Sequence, residues 1–272
     1  MAASADGKYE AGMGIDAADV DGDGWMDTYS THLDFALERL YHNNRDGTFD
    51  DATYQCGIGH SAIFPSGVTA VFADYDNDGG SDMMQVNGSM VDKIRLYHTE
   101  GNYKEPKLMF HNLGRGIFTK VSKSLGTAFM RPVAGRGLAA GDFDNDGDID
   151  FAINVRGDYP ELLRNNVGNA NNWLTMNLVG TKSNRNGPGS TLKLVSEGFI
   201  QIKQAKGGMS YMSASDPRIH FGQAKRKSIE LLRITWPSGH VEKLSKVPIN
   251  QIITVEDGSG IALGKFPRIV WK

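Results

Sequence analysis

The sequence predicts an all-β protein in which a partial β-propeller of repeated, loop-bearing blades is followed by a small β-sandwich-like domain. Three observations lead there. An Asp-rich nonapeptide occurs three times, at residues 19–27, 74–82 and 142–150. The third copy leads out as Ile149-Asp150-Phe151-Ala152-Ile153, with the period-2 alternation of a strand. The 272 residues include 33 glycines at 40% apolar content, a loop-rich composition sufficient for one large domain or two ordinary ones.

Each nonapeptide sets carboxylates at positions 1, 3, 5 and 9 and glycine at position 6. The carboxylates are Asp19, Asp21, Asp23 and Asp27; Asp74, Asp76, Asp78 and Asp82; and Asp142, Asp144, Asp146 and Asp150. Alternate side chains can then wrap one hard cation, the backbone carbonyl of position 7 (Trp25, Gly80 or Asp148) adds a ligand, and the glycine permits the sharp turn. Without a cation the carboxylates repel one another. The expectation is calcium-binding blades with about three Ca²⁺ sites, the weakest at the second loop, where Gly80 leaves the backbone free. An EF-hand is excluded, because its bidentate Glu at position 12 is here Ser30, Gln85 and Ile153. Charge agrees with metal loops: residues 1–170 carry 14 Lys/Arg against 26 Asp/Glu, whereas residues 171–257 carry 12 against 6.

The repeat extends beyond its loop. Gly12, Gly67 and Gly135 each precede the first aspartate by seven residues. Downstream come Leu40-Tyr41-His42-Asn43-Asn44 with Gly47-Thr48-Phe49, Phe110-His111-Asn112 with Gly116-Ile117-Phe118, and the shortened Leu162-Leu163-Arg164-Asn165-Asn166. An insertion around Thr99–Lys107 lengthens the second interval. Units of this size with several short strands read as propeller blades or a β-solenoid. The pattern resembles FG-GAP/VCBS repeats, whose blades are similar to those of the integrin α-chain propeller, over roughly residues 9–166. Three such repeats cannot close a propeller, so open blade edges imply covering segments, a longer parent chain or self-association. The tail Gly264–Lys272 is a candidate covering strand.

A second set of motifs follows: Asn172-Trp173-Leu174, Leu178-Val179-Gly180-Thr181, Ser213-Ala214-Ser215-Asp216-Pro217-Arg218-Ile219-His220-Phe221-Gly222, Ile234-Thr235-Trp236-Pro237-Ser238-Gly239, and Val247-Pro248-Ile249-Asn250-Gln251. These resemble an ASPIC/UnbV domain. Gly187-Pro188-Gly189-Ser190 departs from the family's usual Gly-Ile/Ala-Gly-Ala. The expected division is a repeat region at 1–170, a β domain at 171–257 and a tail at 258–272. Strands are expected at Trp173–Val179, Ser190–Val195, Phe199–Gln204, Ser228–Trp236 and Ile252–Glu256, with Val241–Leu244 returning as a hairpin after Pro237-Ser238-Gly239.

Enzymatic chemistry finds little support. The sequence has no Gly-x-Ser-x-Gly elbow, Walker loop or His-Glu-x-x-His. His42 and His111 hold equivalent places in two blades, which favours a structural turn role. The cluster Ser213, Ser215, Asp216, Arg218 and His220 reads either as an acid–base or anion site or, more simply, as a turn with an Asp216–Arg218 pair before a strand. Lys225-Arg226-Lys227 reads as a solvated turn, and no nucleic-acid motif accompanies it. Cys56, the one cysteine, reads as a core residue and excludes an intrachain disulfide. No run reaches transmembrane length, and the first residues lack the apolar segment of a signal peptide. The resemblance nevertheless implies an extracellular or periplasmic parent protein. The expected function is a non-enzymatic interaction or adhesion module with a protein or glycan partner. The alternatives are a role in small-molecule biosynthesis, as enzyme or accessory, and a carbohydrate-binding propeller.

Overall fold

The computed structural model describes residues 7, 10–33, 36–59 and 65–262. Five small sheets follow one another in a propeller-like arrangement. The first is the antiparallel meander β1 (Gly12–Ala18), β2 (Asp27–His32), β3 (Arg39–Asn43) and β4 (Phe49–Asp51). The second repeats it as β5 (Gly67–Ala73), β6 (Asp82–Asn87), β7 (Leu108–Asn112) and β8 (Phe118–Lys120). The third has three strands, β9 (Gly135–Gly141), β10 (Asp150–Val155) and β11 (Glu161–Leu163). Each Asp-rich nonapeptide is therefore the connection between the first and second strands of a blade.

Side-chain alternation sets the packing of these blades. In the middle blade Ala70, Phe72 and Met83 face the first blade, in a core with Tyr29 and Leu40. Their chain neighbours Val71 and Met84 face the third, in a core with Leu138, Phe151 and Ile153. One strand pair thus serves two interfaces, so β5 and β6 are buried almost throughout rather than on one face. Cys56 is buried in the core between the first two blades, as expected of a small core residue.

The remaining strands are β12 (Asn172–Val179), β13 (Thr191–Ser196), β14 (Phe199–Gln204), β15 (Ile219–Ala224), β16 (Leu231–Thr235), β17 (Val241–Leu244), β18 (Ile252–Glu256) and β19 (Gly260–Ala262). They form two sheets, ordered β15-β12-β18-β19 and β14-β13-β16-β17. Leu174, Met176 and Phe221 of one sheet meet Leu192, Leu194, Leu232 and Ile234 of the other in a single core. This is the small β-sandwich-like domain. Buried Trp236 belongs to this core and donates its Nε1–H to Glu242 at 2.8 Å. The expected strands are present within a few residues of their bounds. The parallel pairing of β12 with β18 was not legible, and β19 lies inside the stretch read as tail. The covering strand expected near Ile269-Val270-Trp271 falls outside the described residues.

The inner strands β1, β5 and β9 lie side by side without a shared ladder. A strap between β14 and β15 supplies partners to them. Ser210 donates its N–H to the Ile15 carbonyl at 3.1 Å, and its Oγ accepts the Ala70 N–H at 3.2 Å. Ser213 Oγ and Ser215 Oγ accept the N–H groups of Leu138 and Ala140 at 2.9 and 3.0 Å. The Asp216 N–H donates to the Ala140 carbonyl at 2.9 Å. Glycine is needed where the strap comes close: a Cβ on Gly141 would stand 2.7 Å from the Cβ of Asp216. The strap thus supplies bonding partners along the edges of the inner strands. Replacing Ser213 and Ser215 together by alanine removes two acceptors from part-buried N–H groups. The double variant is expected to lose about 2 kcal/mol, about 1 per bond, in urea unfolding followed by circular dichroism.

Candidate metal centres

The three loops share one hydrogen-bond scheme. At position 1, Asp19, Asp74 and Asp142 each accept the N–H of the position-6 glycine, at 3.0, 3.0 and 2.9 Å. At position 5, Asp23, Asp78 and Asp146 accept the position-7 N–H, at 2.7, 2.6 and 3.1 Å. At position 9, one oxygen of Asp27, Asp82 and Asp150 accepts the position-2 N–H, at 3.2, 3.3 and 3.3 Å. The other oxygen accepts the N–H of Asn43, Asn112 or Asn165, at 2.9, 2.8 and 2.7 Å. Gly24, Gly79 and Gly147 have φ of 94°, 100° and 95°, the left-handed backbone that the turn requires at position 6.

These bonds gather carboxylates into groups that can hold a metal ion: Asp19, Asp21 and Asp23; Asp74, Asp76 and Asp82; and Asp142, Asp144 and Asp150. Two further groups add a ring nitrogen, Asp21, Asp27 and His42, and Asp76, Asp78 and His111. The sequence reading missed these histidines as site neighbours; their equivalent places in two blades were the available signal. Of the other expected ligands, Asp146 lies 3.4 Å from Arg164 Nη2 and Asp148 is fully buried. Trp25 is about half exposed, and Gly80 is half-buried.

The donor set fits a hard cation. Asp74 is buried, and its Oδ1 accepts no hydrogen bond. Neither oxygen of fully buried Asp144 accepts one either, although Arg164 Nη2 lies 2.7 Å from Oδ2 as an ion pair outside hydrogen-bond alignment. Burial pushes Asp19 and Asp82 up to about 6 and Asp150 up to about 7, and it also raises Asp74 well above the usual carboxylate range. The hydrogen bond to Asp82 is the main cause that holds His111 up at about 9. A bound cation relieves the same strain that these groups otherwise relieve by keeping protons.

The C-terminal domain docks against two of the loops. Gly222 donates its N–H to Asp74 at 3.1 Å, and a Cβ there would stand 2.2 Å from that carboxylate. The Asn77 carbonyl accepts the Ala224 N–H at 2.7 Å. Arg218 pairs with Asp216 and donates to Asn145 Oδ1 and to the Asp142 carbonyl, at 2.7 and 2.6 Å. Burial lowers His220 to about 3, so its ring is neutral. One nitrogen of that ring meets Thr175 Oγ1 and the other Asn77 Oδ1. Asp216, Arg218 and His220 do line a cavity of about 170 Å³ that reaches the ends of the inner strands. Their polar groups are engaged in docking, and the cavity joins the cluster to the blades, so the cluster does not lie on the flat, solvated turn of the simpler reading.

The fold and loops define a class: a β-propeller-like protein with Asp-rich blade loops and an appended β domain. Residues 180–262 match the family model described as ASPIC and UnbV. The chain is similar to cartilage acidic protein 1 of Homo sapiens, 23% identical over 280 residues that cover 85% of this chain and 42% of that protein. It is also similar to cartilage acidic protein 1 of Xenopus tropicalis, 24% identical over 298 residues covering 91% and 45%. The chain therefore spans less than half the length of these curated relatives. Among the described residues, no helix is long and apolar enough to cross a membrane.

The raised carboxylates fix the sign of a pH effect. A group held above its unfolded value binds more protons when folded. Ionising Asp19, Asp82 and Asp150 therefore costs stability above about 6 to 7, and that cost is relieved as pH falls toward 3.8. His111 acts in the same direction, since its contribution is full below 6.5 and is lost as pH rises through about 9. In chelator, Tm is expected to be higher at pH 5.5 than at pH 8.5, and added divalent cation should raise Tm more at pH 8.5. Scanning calorimetry at the two pH values checks this.

Gly147→Ala provides a second check. The new Cβ would stand 2.1 Å from the Trp173 ring at a φ of 95°, so a loss of about 3 kcal/mol is expected in urea unfolding.

Proposed function

We propose that the chain is a calcium-stabilised, non-enzymatic interaction or adhesion module of an extracellular or periplasmic protein. In this reading residues 1–170 are the repeat region, residues 171–257 the ASPIC/UnbV-like domain and residues 258–272 a tail. The observation that carries it is the threefold loop scheme, with buried carboxylate oxygens of Asp74 and Asp144 that accept no hydrogen bond. Calcium suits them because the donors are mostly carboxylate oxygens in small, irregular loops, and Ca²⁺ takes six to eight oxygens in flexible geometry. The ligands assigned are the aspartates at positions 1, 3, 5 and 9 and the carbonyls of Trp25, Gly80 and Asp148.

Calcium is then structural: it fixes loops on which the C-terminal domain docks. The name of the relatives, cartilage acidic protein 1, supports an extracellular setting, where calcium is plentiful. The partner is a protein or a glycan. The test is thermal unfolding in excess calcium and in excess chelator, with metal counted on dialysed protein. Close to three calcium ions per chain are expected, together with a large loss of Tm on chelation. Each site contributes roughly 2.7 kcal/mol at a hundredfold excess over Kd. No bound calcium and an unchanged Tm would refute the reading.

A further inference from the structure

Each blade sets a base, at one equivalent position, against its own loop. The residue just before the asparagine that bonds position 9 is His42, His111 or Arg164. Its nitrogen lies 3.5 Å from Asp21, 3.4 Å from Asp76 and 2.7 Å from Asp144, the position-3 carboxylates of the three loops. Two blades therefore use an imidazole where the third uses a guanidinium. Arg164 also lies 3.4 Å from Asp146, and the two carboxylate side chains it faces are only 1% and 2% exposed. A guanidinium keeps its proton throughout the working pH range and cannot ligate a metal. The third loop thus carries a permanent positive charge beside two of its four side-chain ligands.

The other loops differ. Arg45 pairs with Asp23 of the first loop, but it reaches only the position-5 carboxylate, and its side chain is 56% exposed against 42% for Arg164. Buried Lys203 also acts electrostatically on Asp74 of the second loop, but no ion pair joins the two, and its Nζ donates to the His220 carbonyl at 2.7 Å.

We propose that Arg164 is a built-in counter-ion of the third loop, which draws its carboxylates together without a divalent cation and makes this loop the last of the three to load. The proposal rests on the calcium reading above. It moves the weakest site from the second loop, where the freedom of Gly80 placed it in the sequence reading, to the third. Its consequence is a division of labour. The blade that holds Arg218 and Trp173 of the C-terminal domain keeps its loop shape at low calcium, and the first two loops respond to the cation.

The test is calcium titration calorimetry of the chelator-stripped full chain, with thermal unfolding of the same stripped protein. In wild type one of three steps is expected to be weakest, and Asp144→Asn should abolish that step alone. Arg164→Gln should tighten it on the order of tenfold, by removal of a unit charge beside the ion, and should lower the Tm of the stripped protein. Should R164Q not fold without calcium, Arg164→His, which copies the other two blades, carries the same comparison. An unchanged weakest step, or an unchanged stripped Tm, overturns the proposal. Absence of any calcium uptake by wild type would instead sink the calcium reading. Stripped Tm would then decide alone: a fall in R164Q supports the counter-ion role, and no fall refutes it.

Discussion

The buried aspartate that ends each loop is the constraint on which the rest depends. Asp27, Asp82 and Asp150 are each 1%, 0% and 2% exposed, and each joins two backbone segments through its two oxygens. One segment is the loop itself. The other begins the turn after the third strand, where in the second and third blades the asparagine that donates its N–H also extends its side chain to the preceding blade; Asn43 of the first blade donates to the Met26 carbonyl of its own. Asn112 Nδ2 donates to the Val20 carbonyl at 2.8 Å, and Asn165 Nδ2 donates to the Tyr75 carbonyl at 2.6 Å. Val20 and Tyr75 are position 2 of the preceding loops, whose N–H groups bond the preceding position-9 aspartates. A continuous path of bonds therefore runs from loop to loop across the blades. Burying that many carboxylates is unfavourable on its own, so a cation or a base beside each loop is part of the design and not an ornament.

Much of this was legible in the sequence, and the boundary of legibility has a physical cause. Local rules gave the loops: carboxylate spacing, a glycine at position 6, and period-2 strands on either side. The middle blade's Met83-Met84 pair shows the limit, because a two-sided core looks the same in sequence as any buried apolar run. Partners contributed from far along the chain were not legible. Asp74 meets Gly222, Thr69 meets Tyr211, and Leu138 meets Ser213, separations of 148, 142 and 75 residues. No periodicity records such pairings. The asparagines of the repeat were visible as a motif, but their role as ties between blades appears only once the blades stand side by side.

The cluster at Asp216, Arg218 and His220 shows how the same residues can be read two ways until their neighbours are known. A serine, an aspartate, an arginine and a histidine within eight residues suggest chemistry. In the fold each one meets a blade: Ser213 and Ser215 serve β9, Arg218 serves the third loop, and His220 and Gly222 serve the second. Gly222 is glycine because the Asp74 carboxylate occupies the place of its Cβ. A neutral His220 between a threonine hydroxyl and an asparagine carbonyl is a fixed link in the docking surface, with neither nitrogen open to a substrate.

That docking also bears on how the loops can act. The position-6 glycines point at the C-terminal domain: a Cβ on Gly24, Gly79 or Gly147 would meet Ile202 at 3.0 Å, Phe199 at 2.9 Å or Trp173 at 2.1 Å. Asp74, Asp142 and Asp144 are almost wholly covered. In the third loop Asp142, Asp144 and Asp146 are all buried, so an ion held there would have little surface to offer a partner's carboxylate. The first two loops are more open: Asp19, Asp21 and Asp23 are half-buried with Trp25 exposed beside them, and Asp76 and Asp78 are half-buried too. An ion in either of these loops would exchange with solvent more easily than one in the third.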